Sequence, residues 1–315
     1  ILNELDKENT FLDLNIEVIF IDSNSSINLN KLIKSYMPNS ELSIKKIDTL
    51  NSASHKRNFG IKEAKSNNII SLDDDCIPGE NFINIHYKSL KSKDTNVIYS
   101  GIVNFSKDSY QNSNYYKYRN ERHRIYDNVY LQKSEMSFYN IVTMNMSFKK
   151  NELISKNLLF DEDYTFYGLE DNQFGLDGIK KGFKLKTCFA PIIHQEDTSI
   201  DKFLIKIENF TENFLKFYKK NIKSFLKNDT LKSNNQNIAG ISYLHYLAKL
   251  YFSIYEKNKF LLRVFRIVSF FLTPFHLVLK LFLKKTDKIE LFYFFFLYKI
   301  LTVVTIVKTL FGKIR

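Results

Sequence analysis

The chain is poor in cysteine, with only Cys76 and Cys188 among 315 residues. Two cysteines build no disulfide framework, so a small stapled secreted scaffold is excluded and a reducing compartment fits. A clean membrane-spanning segment is missing too. Such a helix needs about 20 mostly apolar residues. The longest uncharged run of the apolar tail, Ile267 to Leu279, is shorter and contains Pro274. No secretory signal peptide is visible. The sequence begins at Ile1 rather than Met and is read as a fragment or trimmed chain. No internal repeat is present, which excludes solenoids and propellers. Acidic residues are the minority, 34 against 46 Lys and Arg, for a net charge of +12. That balance favours anionic partners: nucleotide phosphates, nucleic acid or an anionic membrane surface. A generally lysine-rich composition would give the same excess.

What the sequence does contain is alternation. Ile16 to Asp22, IEVIFID, is a β-branched run ending in a polar cluster. Leu29 to Met37 is helix-like, and Leu42 to Ile47 has strand character. Ser54 to Lys65 has a helical period with Ser54 as its expected cap. Asn68 to Leu72 is a second short apolar strand. Strand, helix, strand, helix, strand predicts a parallel sheet covered by helices. Ligands of such sheets bind beyond the carboxyl ends of the strands. Asp22 and Asp73-Asp74-Asp75 both stand at such ends.

Further along, Asn81 to Leu90 is read as a helix, and Asn96 to Phe105 and Ile141 to Phe148 as strands. Residues 106–135, polar and rich in Tyr and Arg, read as a mobile or substrate-facing excursion. Phe166 to Gly182 is a loop entering a helix that Gly182 would cap. Phe183 to Ala190 is the next strand, followed by PIIHQED.

Beyond about Asp197 the character changes. Residues 200–228 form a Lys-rich amphipathic pattern and Asp229 to Asn237 a polar linker. From Ile238 onward the chain is helical, aromatic and basic. Three domains are expected: 1–199, 200–237 and 238–315. The tail admits four readings: helices lying in a membrane interface, a shallow re-entrant pair, a spanning helix that tolerates Lys299, or a helical subdomain packed on the core.

Adjacent carboxylates repel one another, so Asp73-Asp74-Asp75 persists where a cation or solvent compensates it. Hard divalent ions take oxygen ligands and keep open positions for phosphate. A solvated acidic turn is the plain alternative.

In this order, IEVIFIDSNS, NSASHKRNFGIKEAKSNNIISLDDD, NMSFKKNELISKNLLFDEDYTFYGLEDNQFGLDGIKKGFKL and FAPIIHQED resemble glycosyltransferase family 2, the inverting transferases of the GT-A fold. The acceptor-side half is similar to galactosyltransferase and chondroitin-polymerase-type domains. The resemblance covers roughly residues 10–197. It implies a Rossmann-like mixed α/β sheet flanked by helices, here with a C-terminal helical extension. The family's opening strand has no counterpart before Asn15, so a preceding native segment is expected.

The resemblance also implies roles. Asp22 accepts from the base or ribose of the nucleotide, and Arg57 reaches the donor. Asp73 and Asp75 are metal-motif positions, with Asp74 the variable middle member. His194 completes the metal site through an imidazole nitrogen. Asp171 is the catalytic base, and its neighbour Glu170 orients the acceptor or donor sugar. Asn58 holds a loop by hydrogen bonds, Asp161 and Glu162 organise theirs, and His55 is read as a surface residue.

The expectation is a metal-dependent transferase using Mn²⁺ or Mg²⁺. It would move a sugar from a nucleotide donor, a UDP-sugar, to a glycan or lipid-linked glycan. The place would be the cytoplasmic face of a bacterial cell membrane, as a peripheral or monotopic protein in cell-surface polysaccharide synthesis. The rivals are a non-catalytic nucleotide-sugar-binding scaffold and a basic nucleic-acid-binding module. The tail's aromatics and charges form no nucleic-acid reading motif, which argues against the second.

Overall fold

The structure, a computed structural model, describes residues 1–23, 27–106, 112–121, 136–138, 140–165, 168–195, 199–226, 251, 259–289 and 293–312. Most of the expected 106–135 excursion and the whole 229–237 linker lie outside the described residues. The chain forms two units. The first comprises residues 1–107, 120–165 and 170–196. The second comprises residues 108–119, 166–169 and 197–315.

In the first unit the elements are α1 (Leu2–Leu12), β1 (Ile16–Asp22), α2 (Ile27–Ser35), β2 (Leu42–Asp48), α3 (Ala53–Glu63), β3 (Asn68–Leu72) and β4 (Cys76–Pro78). They are followed by α4 (Phe82–Leu90), β5 (Val97–Phe105), β6 (Asn145–Lys149), α5 (Lys150–Ser155), α6 (Glu170–Lys180) and β7 (Lys184–His194). Strands joined by crossover helices, then antiparallel returns, give a mixed α/β fold, as the alternation predicts.

The sheet differs from the expected continuous parallel one. β1 and β2 form a parallel pair of their own, with Asp22 opposite Asp48. β3 belongs to a five-stranded sheet of order β3-β6-β5-β7-β4, where it pairs antiparallel with β6. Apolar periodicity identifies strands but carries no information on which edges pair, and that is where the expectation failed. Ile16, Val18, Ile70 and Leu72 nevertheless flank one apolar cluster with buried Phe82, Val97, Val103, Ala190 and Ile192.

Local boundaries follow from capping chemistry. The cap of α3 is Ser52 rather than Ser54: Ser52 is extended (φ −141°, ψ 130°) and its side chain accepts from the His55 N–H. Ser54 sits within the first turn, buried. Gly182 does end α6, in the left-handed region at φ 85°. The N–H of Gly182 reaches the Ile179 carbonyl, and that of Phe183 reaches the Gly178 carbonyl, which satisfies last-turn acceptors. β6 starts at Asn145 rather than Ile141, because residues 141–144 form a turn whose backbone is used elsewhere: Val142 donates to Ser100 Oγ.

β7 runs past its expected end at Ala190. Pro191 cannot donate to a ladder, yet its carbonyl accepts from the Gly79 N–H at 2.8 Å and it pairs with Ile102 beside a register shift in β5. Prolines are tolerated at such irregularities. Asn145 fixes the shift, donating through Nδ2 to the carbonyls of Ala190 (2.8 Å) and Ile102 (3.1 Å). Its Oδ1 lies 2.9 Å from Nε2 of fully buried His86, whose Nδ1 meets Ser147 Oγ at 2.8 Å. Burial pushes the His86 pKa down to about 4, so the imidazole is neutral.

The second unit is helical. Its elements are a helical stretch over 114–119, α7 (Ile200–Leu226), α8 (Lys259–Lys285) and α9 (Phe294–Gly312). Tyr115, Tyr118, Phe203, Leu283, Tyr298 and Leu301 form its core. Asp287 accepts from the Tyr115 N–H and from Ser113 Oγ, and Asp201 pairs with Lys280 and Lys284. Two stretches, Arg263–Lys285 and Phe294–Gly312, are long and apolar enough to cross a membrane by length and composition.

The close approach at Gly101 generates a prediction. A Cβ there would stand 2.3 Å from Asn145 Nδ2 and 2.5 Å from the Ala190 carbonyl oxygen. Gly101→Ala should lower stability by about 2–3 kcal/mol, read as a lower urea midpoint at unchanged slope.

Candidate functional site

β3 delivers the acidic run to a tight turn. The Asp73 carbonyl accepts the Cys76 N–H, so the chain reverses across Asp74 and Asp75 and enters β4. β4 pairs antiparallel with the end of β7, placing Cys76 opposite His194. The Asp75 carbonyl in turn accepts from the Gln195 N–H at 2.7 Å. That pairing brings Asp75 Oδ2 to 3.0 Å from His194 Nε2, across 119 residues of sequence. His194 is therefore a strand residue, held at both neighbours, and not a loop residue after Ala190. Its ring is buried and lies 5.5 Å from that of Phe105.

Asp75 is subject to opposing effects. Burial acts to raise its pKa, but the hydrogen bond and charge of His194 outweigh it and the net shift is downward. Cys76 completes a group with Asp75 and His194 whose donor atoms lie within 4.8 Å of one another. Burial, then the neighbouring carboxylates, raise its thiol far above the ordinary range, so it is a neutral wall.

The chemistry of this donor set fits a divalent ion. Carboxylate oxygen and imidazole nitrogen are both ligands for Mn²⁺-type metals. Their 3.0 Å separation matches the edge of an octahedron with bonds of about 2.1 Å. His194 Nδ1 is also buried with no hydrogen-bond partner among the described residues.

Asp73 faces another way. Its Oδ1 lies 3.1 Å from Arg57 Nη2. Arg57 Nη1 lies 3.5 Å from Glu170 Oε1 and 3.8 Å from Asp171 Oδ1. One guanidinium from α3 thus gathers the strand-end acid and both acids opening α6. Below it, the Phe160 ring lies 5.6 Å from the guanidinium carbon. Burial disfavours the charge on Arg57, but Asp171, Asp73 and Glu170 outweigh it and keep the group cationic.

Asp171 is clamped by Thr143, whose Oγ1 donates to Oδ1 at 2.6 Å and whose N–H donates to Oδ2 at 3.3 Å. Burial raises the pKa of Asp171 against the opposing pull of Arg57. Burial and the charge of Asp171 raise Glu170 to about 7. One Glu170 oxygen, Oε2, is buried without a hydrogen-bond partner among the described residues.

Of the remaining candidates, Asp74 is exposed at the tip of the turn. Asp22 ends β1, accepts from the Ser23 N–H at 2.8 Å and lies 3.5 Å from Lys46 Nζ. Asn58 does stitch its loop, donating to the Phe160 carbonyl and to Glu162 Oε1 while accepting from the Phe160 N–H. His55, expected on the surface, is half-buried and pairs through Nδ1 with Glu162 Oε2 at 2.8 Å. Thr143 and Phe160 were absent from the expected site. No sequence pattern marks a threonine 28 residues before the acid that it will hold.

The pKa of Glu170 has a consequence for stability. The folded chain binds this proton more tightly than the unfolded chain, whose Glu titrates near 4.5. Stability therefore falls as pH rises from about 4.5 to about 7. Glu170→Gln should flatten that part of the profile and raise the melting temperature at alkaline pH, measured by thermal melts across the range. An unchanged slope would show that Glu170 is not the group responsible.

Residues 5–152 match a family described as Glycosyl transferase family 2. Among solved structures, the mannosyltransferase PcManGT from Pyrobaculum calidifontis, in complex with GDP-Man and Mn²⁺, is 15% identical with a TM-score of 0.53. That match covers 99% of this chain and 84% of the mannosyltransferase, and shows a shared fold. S. aureus TarS is 14% identical at TM-score 0.44, over 68% of this chain and 37% of that one. The chain thus spans little more than a third of TarS. GalNAc-T7 with UDP, GalNAc and Mn²⁺ is 17% identical at TM-score 0.38, covering 59% of this chain and 38% of its own. No curated relative matches.

Proposed function

We propose, from the premise that the chain is a glycosyltransferase carrying a family 2 domain, that it moves a sugar from a UDP-type donor to a glycan or lipid-linked glycan with inversion. The observation that supports this best is the gathering of Asp73, Glu170 and Asp171 around Arg57 in the unit where Asp75 meets His194.

Each residue has a task that its chemistry suits. Asp75 and His194 would ligate the metal, and Asp73, expected as a ligand too, is turned to Arg57. A bound divalent cation would neutralise charge on the departing diphosphate. Asp73 and Arg57 bind the donor, Arg57 by offering its guanidinium to phosphate oxygens in a geometry that lysine lacks. Asp74, at the exposed tip, joins the donor site. Asp22 accepts from the base or ribose at the end of β1. Asp171, held in one orientation by Thr143, takes the proton of the acceptor hydroxyl. Its raised pKa makes it a stronger base than an ordinary aspartate. Glu170 orders the acceptor sugar beside it. Inversion needs no covalent sugar–enzyme bond, since the hydroxyl attacks from the face opposite the nucleotide.

The basic, apolar tail supports a membrane surface as a further partner, which suits lipid-linked acceptors at the cytoplasmic face of a bacterial membrane. A GT-A domain at 1–199, an amphipathic helix with linker at 200–237 and a membrane-associated extension at 238–315 are the proposed division of labour.

The test is turnover of UDP-sugars in Mn²⁺, read as acceptor-dependent UDP release. Asp171→Asn should lower kcat by about a hundredfold or more with little change in donor affinity. Asp75→Asn should weaken both metal and donor binding. Full turnover by either variant would sink the mechanism.

A further inference from the structure

α8 is built inside out. The residues that it turns inward fall at heptad-like spacing, Phe265, Ser269, His276, Leu279 and Leu283, and two of them are polar. His276 Nε2 meets Thr305 Oγ1 of α9 at 3.0 Å. The opposite half of the helix surface is apolar and exposed, carrying Ile267, Phe270, Phe271, Phe275, Val278 and Phe282. Phe270 is 74% exposed, Phe271 68% and Val278 65%. The helix places its hydroxyl and imidazole groups at the helix contact and its phenylalanines outside, the reverse of a water-facing helix. α7 of the same unit also buries polar groups, Thr211, Asn213 and Asn221, but exposes Lys202, Glu208, Lys216, Lys219 and Lys220. The exposed phenylalanine face is therefore what sets α8 apart from α7.

From this we infer that the outward half of α8 lies in the plane of an anionic phospholipid bilayer, with its phenylalanines among the acyl chains. The inference rests on a membrane being the partner and specifies which surface meets it. Charge selects the occupant. α8 carries six Lys and Arg and no acidic residue. Two copies meeting face to face would bring like charges together, whereas anionic headgroups neutralise them. Charge spacing selects the orientation. Arg263–Lys285 is long enough to cross a membrane, but its uncharged stretch Ile267–Leu279 has 13 residues, about 20 Å of helix, so spanning a hydrocarbon core of roughly 30 Å would draw Arg266 and Lys280 into it. Arg263 and Arg266 before it, and Lys285 after it, suit headgroup level at the two ends, with long stems that reach the interface, while Lys280 and Lys284 are paired with Asp201 of α7.

The chain contains no Trp, so single reporters can be placed in the full-length protein. Phe271→Trp marks the outward face, Phe275→Trp repeats it in case the first disturbs folding, and Phe265→Trp marks the contact with Phe311. Vesicles of phosphatidylcholine with phosphatidylglycerol, brominated on the acyl chains, should blue-shift the outward Trp and quench its emission about twofold or more. The Trp at 265 should change little. Flotation should favour the anionic vesicles over pure phosphatidylcholine by about tenfold or more. Flotation with unquenched outward reporters would overturn this inference while leaving the membrane reading intact. No flotation with either vesicle would overturn both. A concentration-dependent blue shift without lipid would assign the face to a second copy and also overturn it. Donor turnover, followed in parallel without lipid, tests the transferase reading independently.

Discussion

A single guanidinium, largely shielded from solvent, organises the candidate site of the first unit. Arg57 comes from α3, Asp73 from the end of β3, and Glu170 and Asp171 from the start of α6, yet all three acids lie within 4 Å of it. Without that cation, three carboxylates in a shielded pocket would repel one another at a cost that low dielectric amplifies. With it, burial first and the neighbouring carboxylates second still raise the pKa values of Glu170 and Asp171. A pocket of this kind is electrostatically unfinished. On the proposed function, a metal and a diphosphate would become new partners for these charged groups.

The scaffold under the pocket is polar where most cores are apolar. Asn145 spans the irregularity between β5 and β7, and neutral His86 and Ser147 satisfy it. A fully bonded buried network fixes one arrangement of strands, because any other would leave its members unpaired. That register carries β7 through Pro191 and sets His194 opposite Cys76. The position of a candidate metal ligand therefore depends on a hydrogen-bond network far from it in sequence.

Much of this was legible in the residues. β3 occupies the predicted Asn68–Leu72, and its acids fall where an apolar strand runs into a charged turn. The α/β alternation and the Gly182 stop were visible for the same reason: both are local patterns of period and backbone freedom. Long-range choices were not visible. The split of β1–β2 from the five-stranded sheet and the strand continuing past Ala190 each depend on partners distant in sequence, whereas the cap at Ser52 in place of Ser54 is a local choice between two nearby serines. Arg57 was singled out as a donor contact, but its three acidic partners could not be read from sequence. His55 was missed because Glu162, which holds it, stands 107 residues away.

The central claim is that the turn after β3 and the end of β7 jointly hold a metal against a nucleotide diphosphate. Pulsed electron paramagnetic resonance of Mn²⁺ bound to the full chain with UDP tests it most directly. The account predicts a nitrogen coupling that disappears in His194→Gln, together with a phosphorus coupling from UDP. Bound Mn²⁺ with phosphorus coupling but no nitrogen coupling, or with neither, would contradict it.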